Sequence, residues 1–256
     1  MIGAPEQQDA PQDALSHALT ELQTVRDEFS GLYYAVSHDL CAPVRSIVGF
    51  SKALEEDFGE QILPAQKDYL CRIVRNAAKL ESMIETLLSL SRIAQTPISI
   101  EPVDLSRLVL DTVNNYKREA PERSVRTIVE NRVVLNTDSR LIRRVIERLI
   151  DNAWKFSRDD RPLEIIFGID RTAPAISCYV RDNGIGFDMS FADRLFTPFQ
   201  KLHSESRFSG FGVGLATVHR IIRHMGGKVW VDAEPNRGAT FYFSLPPVWG
   251  NTRGMA

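Results

Sequence analysis

An apolar residue recurs every three or four positions through Leu15, Leu19, Leu22, Val25, Phe29, Leu32, Val36 and Leu40, and returns at Ile47 and Leu54. That spacing lines the side chains along one stripe of a long helix. Turn residues from Gly59 to Pro64 interrupt it, and a second stripe follows through Leu70, Ile73, Ala77, Leu80, Ile84 and Leu87. Pro97 closes the second helix, since proline has no amide to donate and crowds the turn before it. Two helices joined by one short turn make an antiparallel hairpin, and a single hairpin cannot bury its whole stripe. Pairing two hairpins into a four-helix bundle does bury it, so the pattern predicts a homodimer. The alternative is a hairpin packed against the rest of its own chain.

Beyond Pro97 the period changes. Val103–Tyr116 and Ser139–Phe156 read as helices, and Leu215–Met225 as a third, closed by Gly226-Gly227. Leu163–Ile169, Ile176–Arg181, Lys228–Ala233 and Ala239–Leu245 read as strands, rich in β-branched and aromatic residues. The expected fold class is therefore multi-domain α plus α/β: a helical hairpin forming a dimeric bundle, then a sheet covered by helices. The expected organisation is a flexible tail over 1–14, the hairpin over 15–96, an α/β domain over 97–247 and a C-terminal tail over 248–256. The stretch from Phe187 to Gly210 has no clear period, and its length predicts a mobile functional loop.

Composition removes several function classes. A net charge of -2 on 256 residues gives no nucleic-acid footprint. No apolar run approaches the ~18 residues of a membrane helix. The first residues, MIGAPEQQDAPQ, lack the basic start and apolar core of a secretion signal. Three cysteines, Cys41, Cys71 and Cys178, show no CxxC spacing, which predicts a reduced, cytoplasmic setting without zinc or disulfides.

Four short segments carry the chemistry. His38 follows the seam residue Val36 by two positions, so on a helix it points away from the stripe. An imidazole, with its ordinary pKa of about 6.5, is largely neutral at cellular pH and can act as a nucleophile. Asp39 beside it can orient the ring or accept its proton, and Pro43 should kink or loosen the helix nearby. Taken alone, the pair reads more readily as a surface histidine on a helix. In the helix 139–156, Arg148, Asn152 and Lys155 share one face at i, i+4 and i+7, opposite Leu141, Val145, Ile146, Leu149 and Ile150. An asparagine oxygen suits Mg²⁺, which takes few protein ligands, and Lys155 suits a phosphate; a solvated polar face is the plain alternative. Asp182-Asn183-Gly184-Ile185-Gly186 follows a strand. Its glycines allow a close backbone approach, and its carboxylate can accept from the exocyclic amine of adenine, where guanine presents a carbonyl. A glycine-bearing hairpin would look the same. Gly210-Phe211-Gly212-Val213-Gly214-Leu215 opens a helix, where backbone amides can face phosphates; a flexible loop is the other reading.

The order of the segments is more specific than any one of them. SHDL with Pro43, then DNAWKFS, RDNGIGF, LFTPFQKLH and GFGVGLATV, closely resemble the transmitter core of sensor histidine kinases over residues from about 20 to 246, and most of all the bacteriophytochrome type. The resemblance implies a dimeric phosphoacceptor hairpin and an ATP-binding α/β sandwich of the gyrase, Hsp90, histidine kinase and MutL kind, with ATP and Mg²⁺ as cofactors. It makes His38 the phosphoacceptor and Asp39 its acid/base partner. It implies that Asn152 holds Mg²⁺, that Lys155 meets phosphate and that Phe156 flanks the adenine. Asp182 would read the adenine amine, with Gly184 and Gly186 shaping the floor. Phe196 and Phe199 would anchor a lid, Lys201 stands at a commonly basic position, and Gly210, Gly212 and Gly214, with Leu215, would frame the phosphates. The implied partners are a second copy of the chain, a response-regulator receiver domain, and an upstream sensory domain or protein outside this chain.

Three positions depart from the family pattern. Arg148 stands where asparagine is common, and a cation cannot ligate Mg²⁺. Ala42, four residues past His38, has no group to position a water where Thr or Asn serves kinases that also dephosphorylate their partner; weak or absent phosphatase action is expected. Cys41 replaces a more usual basic or polar residue. Arg148 also keeps open a dimeric scaffold without turnover. An ATPase or serine kinase on the same sandwich is less consistent, because those place a glutamate at that position and lack the histidine hairpin.

Overall fold

A computed structural model describes residues 21, 24, 25, 31, 39–59, 61–95, 97–172, 177–200 and 212–246. His38, Lys201 and Gly210 lie outside the described residues, as do the expected tails over 1–14 and 248–256 and most of the first seam before residue 39. The chain divides into two compact units, Met1–Arg92 and Ile93–Ala256.

Among the described residues, the first unit has α1 over residues 39–58 and α2 over Pro64–Gln95, with residues 21, 24, 25 and 31 also helical. The helix continues across Pro43, so the proline does not end it. In the turn, the Phe58 carbonyl accepts from the Gln61 and Ile62 amides at 2.8 and 3.0 Å, and the Leu63 amide donates to Gln66 Oε1 at 2.9 Å. Packing divides the apolar stripe in two. Val44, Ala77 and Ile84 are buried together, with Cys41 and Val48 against them. Leu40, Ile47 and Leu54 on α1, and Ile73 and Leu80 on α2, remain between 43% and 46% exposed. These five recur at seven-residue intervals within each helix, the spacing of a bundle seam, while Phe50, Phe58, Leu63 and Tyr69 are exposed as well.

The second unit is a two-layer α/β sandwich. Its elements are β1 (Glu101–Asp104), α3 (Leu105–Glu119), β2 (Val125–Val129), β3 (Val134–Thr137), α4 (Ser139–Lys155), β4 (Leu163–Asp170), β5 (Ser177–Asp182), a 3₁₀ turn (Met189–Phe191), α5 (Ala192–Leu195), α6 (Gly214–His224), β6 (Lys228–Glu234) and β7 (Gly238–Ser244). Five strands form one sheet in the order β2-β4-β5-β7-β6, with β2 parallel to β4 and every other pair antiparallel. A two-stranded antiparallel ribbon joins β1 to β3. Alternate residues of β4, Leu163, Ile165 and Phe167, are buried beneath the helices with Val180, Phe241 and Phe243. From the helix side, α4 contributes Leu141, Ile142, Val145, Ile146, Leu149 and Ile150, all 4% exposed or less.

Two expectations require correction. The helix expected from Val103 starts at Leu105, because Val103 pairs with Leu135 in the ribbon and the Asp104 side chain caps the helix by accepting from the Arg107 amide at 3.0 Å. The stretch from Phe187 is not irregular throughout, since a 3₁₀ turn and α5 occupy Met189–Leu195; residues 201–211 lie outside the described residues.

Candidate functional site: a cavity between α4, β5 and α6

The site begins with the amphipathic build of α4. One face anchors the helix in the core, and the opposite face presents Arg148, Asn152 and Lys155. Asp138 fixes the start of α4: its Oδ1 accepts from the Arg140 and Leu141 amides at 3.0 and 3.1 Å. At the other end the Phe156 amide donates to the Asn152 carbonyl at 2.9 Å. The Phe156 carbonyl then accepts from the Ile185 amide at 2.9 Å, which ties the end of α4 to the loop after β5. Lys155 Nζ lies 5.0 Å from the centre of the Phe156 ring. On the flank, the Tyr116 hydroxyl donates to Asp151 Oδ1 at 3.1 Å, and burial first, then Asp151, pushes the phenol above its ordinary value.

Asp182 is the last residue of β5 and is buried. Its Oδ1 accepts from the Gly184 amide at 2.8 Å and the Ala239 amide at 3.3 Å. Burial raises its carboxyl to about 6, against the opposing pull of those two amides. Gly186 has φ +58°, and a Cβ there would lie 2.0 Å from the Glu234 carbonyl oxygen, so only glycine fits the turn. Gly212 has φ +73°, with the Gln200 carbonyl oxygen 2.3 Å from its would-be Cβ. The Phe199 amide donates to the Gly212 carbonyl at 2.9 Å, joining the two chain segments that flank residues 201–211. Phe196 packs its ring 5.7 Å from His219 on α6.

These elements enclose a cavity of about 160 Å³. Of the residues singled out from sequence, Asn152, Lys155, Phe156, Asp182, Gly186, Gly212, Gly214 and Leu215 line it. Gly184 acts from behind the wall, where a Cβ would meet the Phe156 carbonyl oxygen at 2.4 Å. Asp39 is exposed on α1, in the other unit. Sequence reasoning missed Ile185, Phe187, Ala239 and Phe241, which give the cavity its apolar wall. Only the alternation along β7 hints at the last two. Val213 caps the start of α6 without a side-chain hydrogen bond, so no side chain of the cap satisfies the first amides of that helix.

The donor chemistry suits an anion better than a resident metal. Asn152 Nδ2 is buried with no hydrogen-bond partner, and Arg148 stands one turn before it on the same wall. Among the described residues no cluster of three or more His, Cys, Asp or Glu could hold a metal ion.

Two family models match this chain. Residues 137–248 match the histidine kinase-, DNA gyrase B- and HSP90-like ATPase domain, and residues 32–96 match the His Kinase A phospho-acceptor domain. The chain is a sensor histidine kinase transmitter core. Cyanobacterial phytochrome B of Nostoc sp. is 33% identical to this core over 239 residues, 92% of the chain and 32% of the relative. The chain spans about a third of the length of the phytochrome-type relatives it matches. Among solved structures, full-length ShkA in complex with AMPPNP overlays on 84% of the chain and 45% of its own with a TM-score of 0.58 at 23% identity. The histidine kinase AdeS of Acinetobacter baumannii overlays on 82% of the chain and 96% of its own with a TM-score of 0.55 at 21% identity. At these identities the overlays establish the shared fold, a helical region followed by a Bergerat-type α/β sandwich. No helix among the described residues is long and apolar enough to cross a membrane.

Proposed function

We propose that this transmitter core is a protein-histidine kinase that binds ATP in the α4–β5–α6 cavity, phosphorylates His38 and passes the phosphoryl group to an aspartate of a response-regulator receiver domain. The observation that carries this reading is the buried Asp182 carboxylate, set in an apolar wall and sharing one cavity with the cationic face of α4. A buried acceptor of this kind suits the exocyclic amine of adenine and disfavours guanine, whose carbonyl would leave both groups unpaired. Phe156, Gly184 and Gly186 shape the base pocket. Lys155, Gly212, Gly214 and Leu215 meet the phosphates, with Lys201 and Gly210 joining them from the lid that Phe196 and Phe199 anchor. An imidazole nitrogen of His38 attacks the γ-phosphorus, the bond from that phosphorus to the bridging oxygen breaks, ADP leaves, and Asp39 takes the ring proton. Of the expected Mg²⁺ site, only Asn152 remains as a protein ligand, and no step here depends on it.

The hairpin over 15–96 serves dimerisation and phosphotransfer, and 97–247 serves nucleotide binding. The exposed seven-residue repeat of Leu40, Ile47 and Leu54 supports a homodimer. A cytoplasmic setting and an upstream sensory domain or protein complete the reading. Incubation with γ-labelled ATP should give an acid-labile, base-stable label that His38→Gln abolishes while nucleotide binding persists. Label retained by that variant would sink the assignment. Arg148 favours one second reading, a dimeric scaffold without turnover; tight nucleotide binding with no phosphohistidine would select it.

A further inference from the structure

Arg148 occupies a position where a metal ligand would be expected, and the local geometry suggests what it does there. A Cβ placed on Gly214, the first residue of α6, would lie 3.8 Å from Arg148 Cδ and 3.9 Å from Asn152 Oδ1. Arg148 and Asn152 therefore border the same space at the start of α6, which glycine leaves open. Asn152 turns its Oδ1 toward that space and Asp151 and Asp182 line the same cavity, so the donors offered there come from Arg148 and the start of α6. Asn152 Nδ2 is buried and lacks an acceptor. The α6 N-terminus has no side-chain cap. Among the described residues, no carboxylate makes an ion pair with Arg148. A buried unsatisfied donor is costly until an acceptor arrives, and a guanidinium presents a planar fork that matches two phosphate oxygens.

We propose that Arg148 binds the nucleotide phosphates directly, with the start of α6 donating beside it, so that this core holds ATP largely without Mg²⁺. The proposal rests on the ATP-binding reading above. It gives Arg148 the charge compensation that a metal would otherwise supply.

The test is the dissociation constant of ATP, measured by calorimetry on the full chain with Mg²⁺ and with EDTA, alongside that of adenosine. Wild type should bind ATP within ~3-fold in the two conditions, a change smaller than one charged hydrogen bond. Arg148→Asn should weaken metal-free ATP binding ~10- to 100-fold, the worth of a hydrogen bond to a charged group, and should make binding depend on Mg²⁺. Arg148→Lys should fall between, and adenosine should bind all three proteins alike, which also reports that the pocket is folded. ATP binding by wild type that collapses in EDTA, or metal-free binding unchanged in Arg148→Asn, overturns the role of Arg148 alone. Absence of ATP and adenosine binding under every condition overturns the nucleotide reading together with it.

Discussion

The Gly184 amide donates to Oδ1 of Asp182 at 2.8 Å, which fixes a buried carboxylate at the mouth of the turn after β5. Burial lifts this carboxyl from 3.8 to about 6. A raised carboxyl favours the fold while protonated. Its benefit is whole below the ordinary carboxylate value and is lost as pH rises through about 6, leaving a cost of about 3 kcal/mol at neutral pH. Asp182→Asn keeps the Oδ1 acceptor and removes the charge. The ligand-free variant should melt higher than wild type at neutral pH, with the gap closing below about pH 4. The same change should weaken ATP binding ~10-fold or more. Parallel melting curves across that range, or unchanged affinity, would remove Asp182 from this role.

Gly186 bears a tight turn beside the cavity. Alanine there must adopt φ +58° and place its Cβ 2.0 Å from the Glu234 carbonyl oxygen. The turn must shift, which endangers the 2.6 Å hydrogen bond from the Asn236 amide to the Ile185 carbonyl. Gly186→Ala should cost ~2 kcal/mol or more in the denaturant midpoint, from left-handed backbone and overlap together. ATP affinity should fall with it. A variant as stable as wild type would show that the loop can relax without strain.

The legible parts of this molecule were those in which one helix or one turn carries its own signal. The polar face of α4 followed from 3.6-residue spacing, and Arg148, Asn152 and Lys155 do share one cavity. Asp182 and the glycines after it were readable because a tight turn at a strand end needs those residue types. The ribbon of β1 and β3 was not readable: each strand has four residues, and β1 contains Pro102. The parallel pairing of β2 with β4 depends on a crossover that no local pattern encodes. The apolar wall escaped for a similar reason, since Ile185, Ala239 and Phe241 carry no chemistry until the sheet brings them together. On the hairpin, periodicity located an apolar stripe but not its division, in which Val44 and Val48 turn inward while Leu40, Ile47 and Leu54 stay exposed.

Asp138 holds the N-terminus of α4 and, through it, the cavity wall. It is 1% exposed, and its Oδ2 accepts from the Ser99 amide and Arg140 Nη2, each at 3.0 Å. Burial pushes its carboxyl up, but the Arg140 hydrogen bond and the Ser99 and Leu141 amides together hold it below the ordinary value. A lowered carboxyl stabilises the fold above the ordinary value, and this contribution is lost as pH falls through the folded value. Asp138→Ala should cost ~2 kcal/mol at neutral pH, from the lost cap and the amides left unpaired. Chemical denaturation at neutral and acidic pH should show that difference shrinking in acid. A penalty that is independent of pH would mean packing, not charge, is what Asp138 supplies.

Ala42 lies on the exposed surface of α1, and its carbonyl accepts from the Ser46 hydroxyl at 3.2 Å. It follows His38 by four residues and offers no side-chain group to orient a water. Wild type should therefore pass phosphate to a receiver domain without hastening the loss of that phosphate. Ala42→Thr adds a hydroxyl at an exposed helix position for well under ~1 kcal/mol of helix propensity, so the hairpin should fold as before. Receiver phosphate should then decay faster in the presence of the variant and ADP than in the presence of wild type. Rapid decay with wild type, or no gain with threonine, would show that the residue four positions past His38 does not set the balance between phosphate delivery and removal.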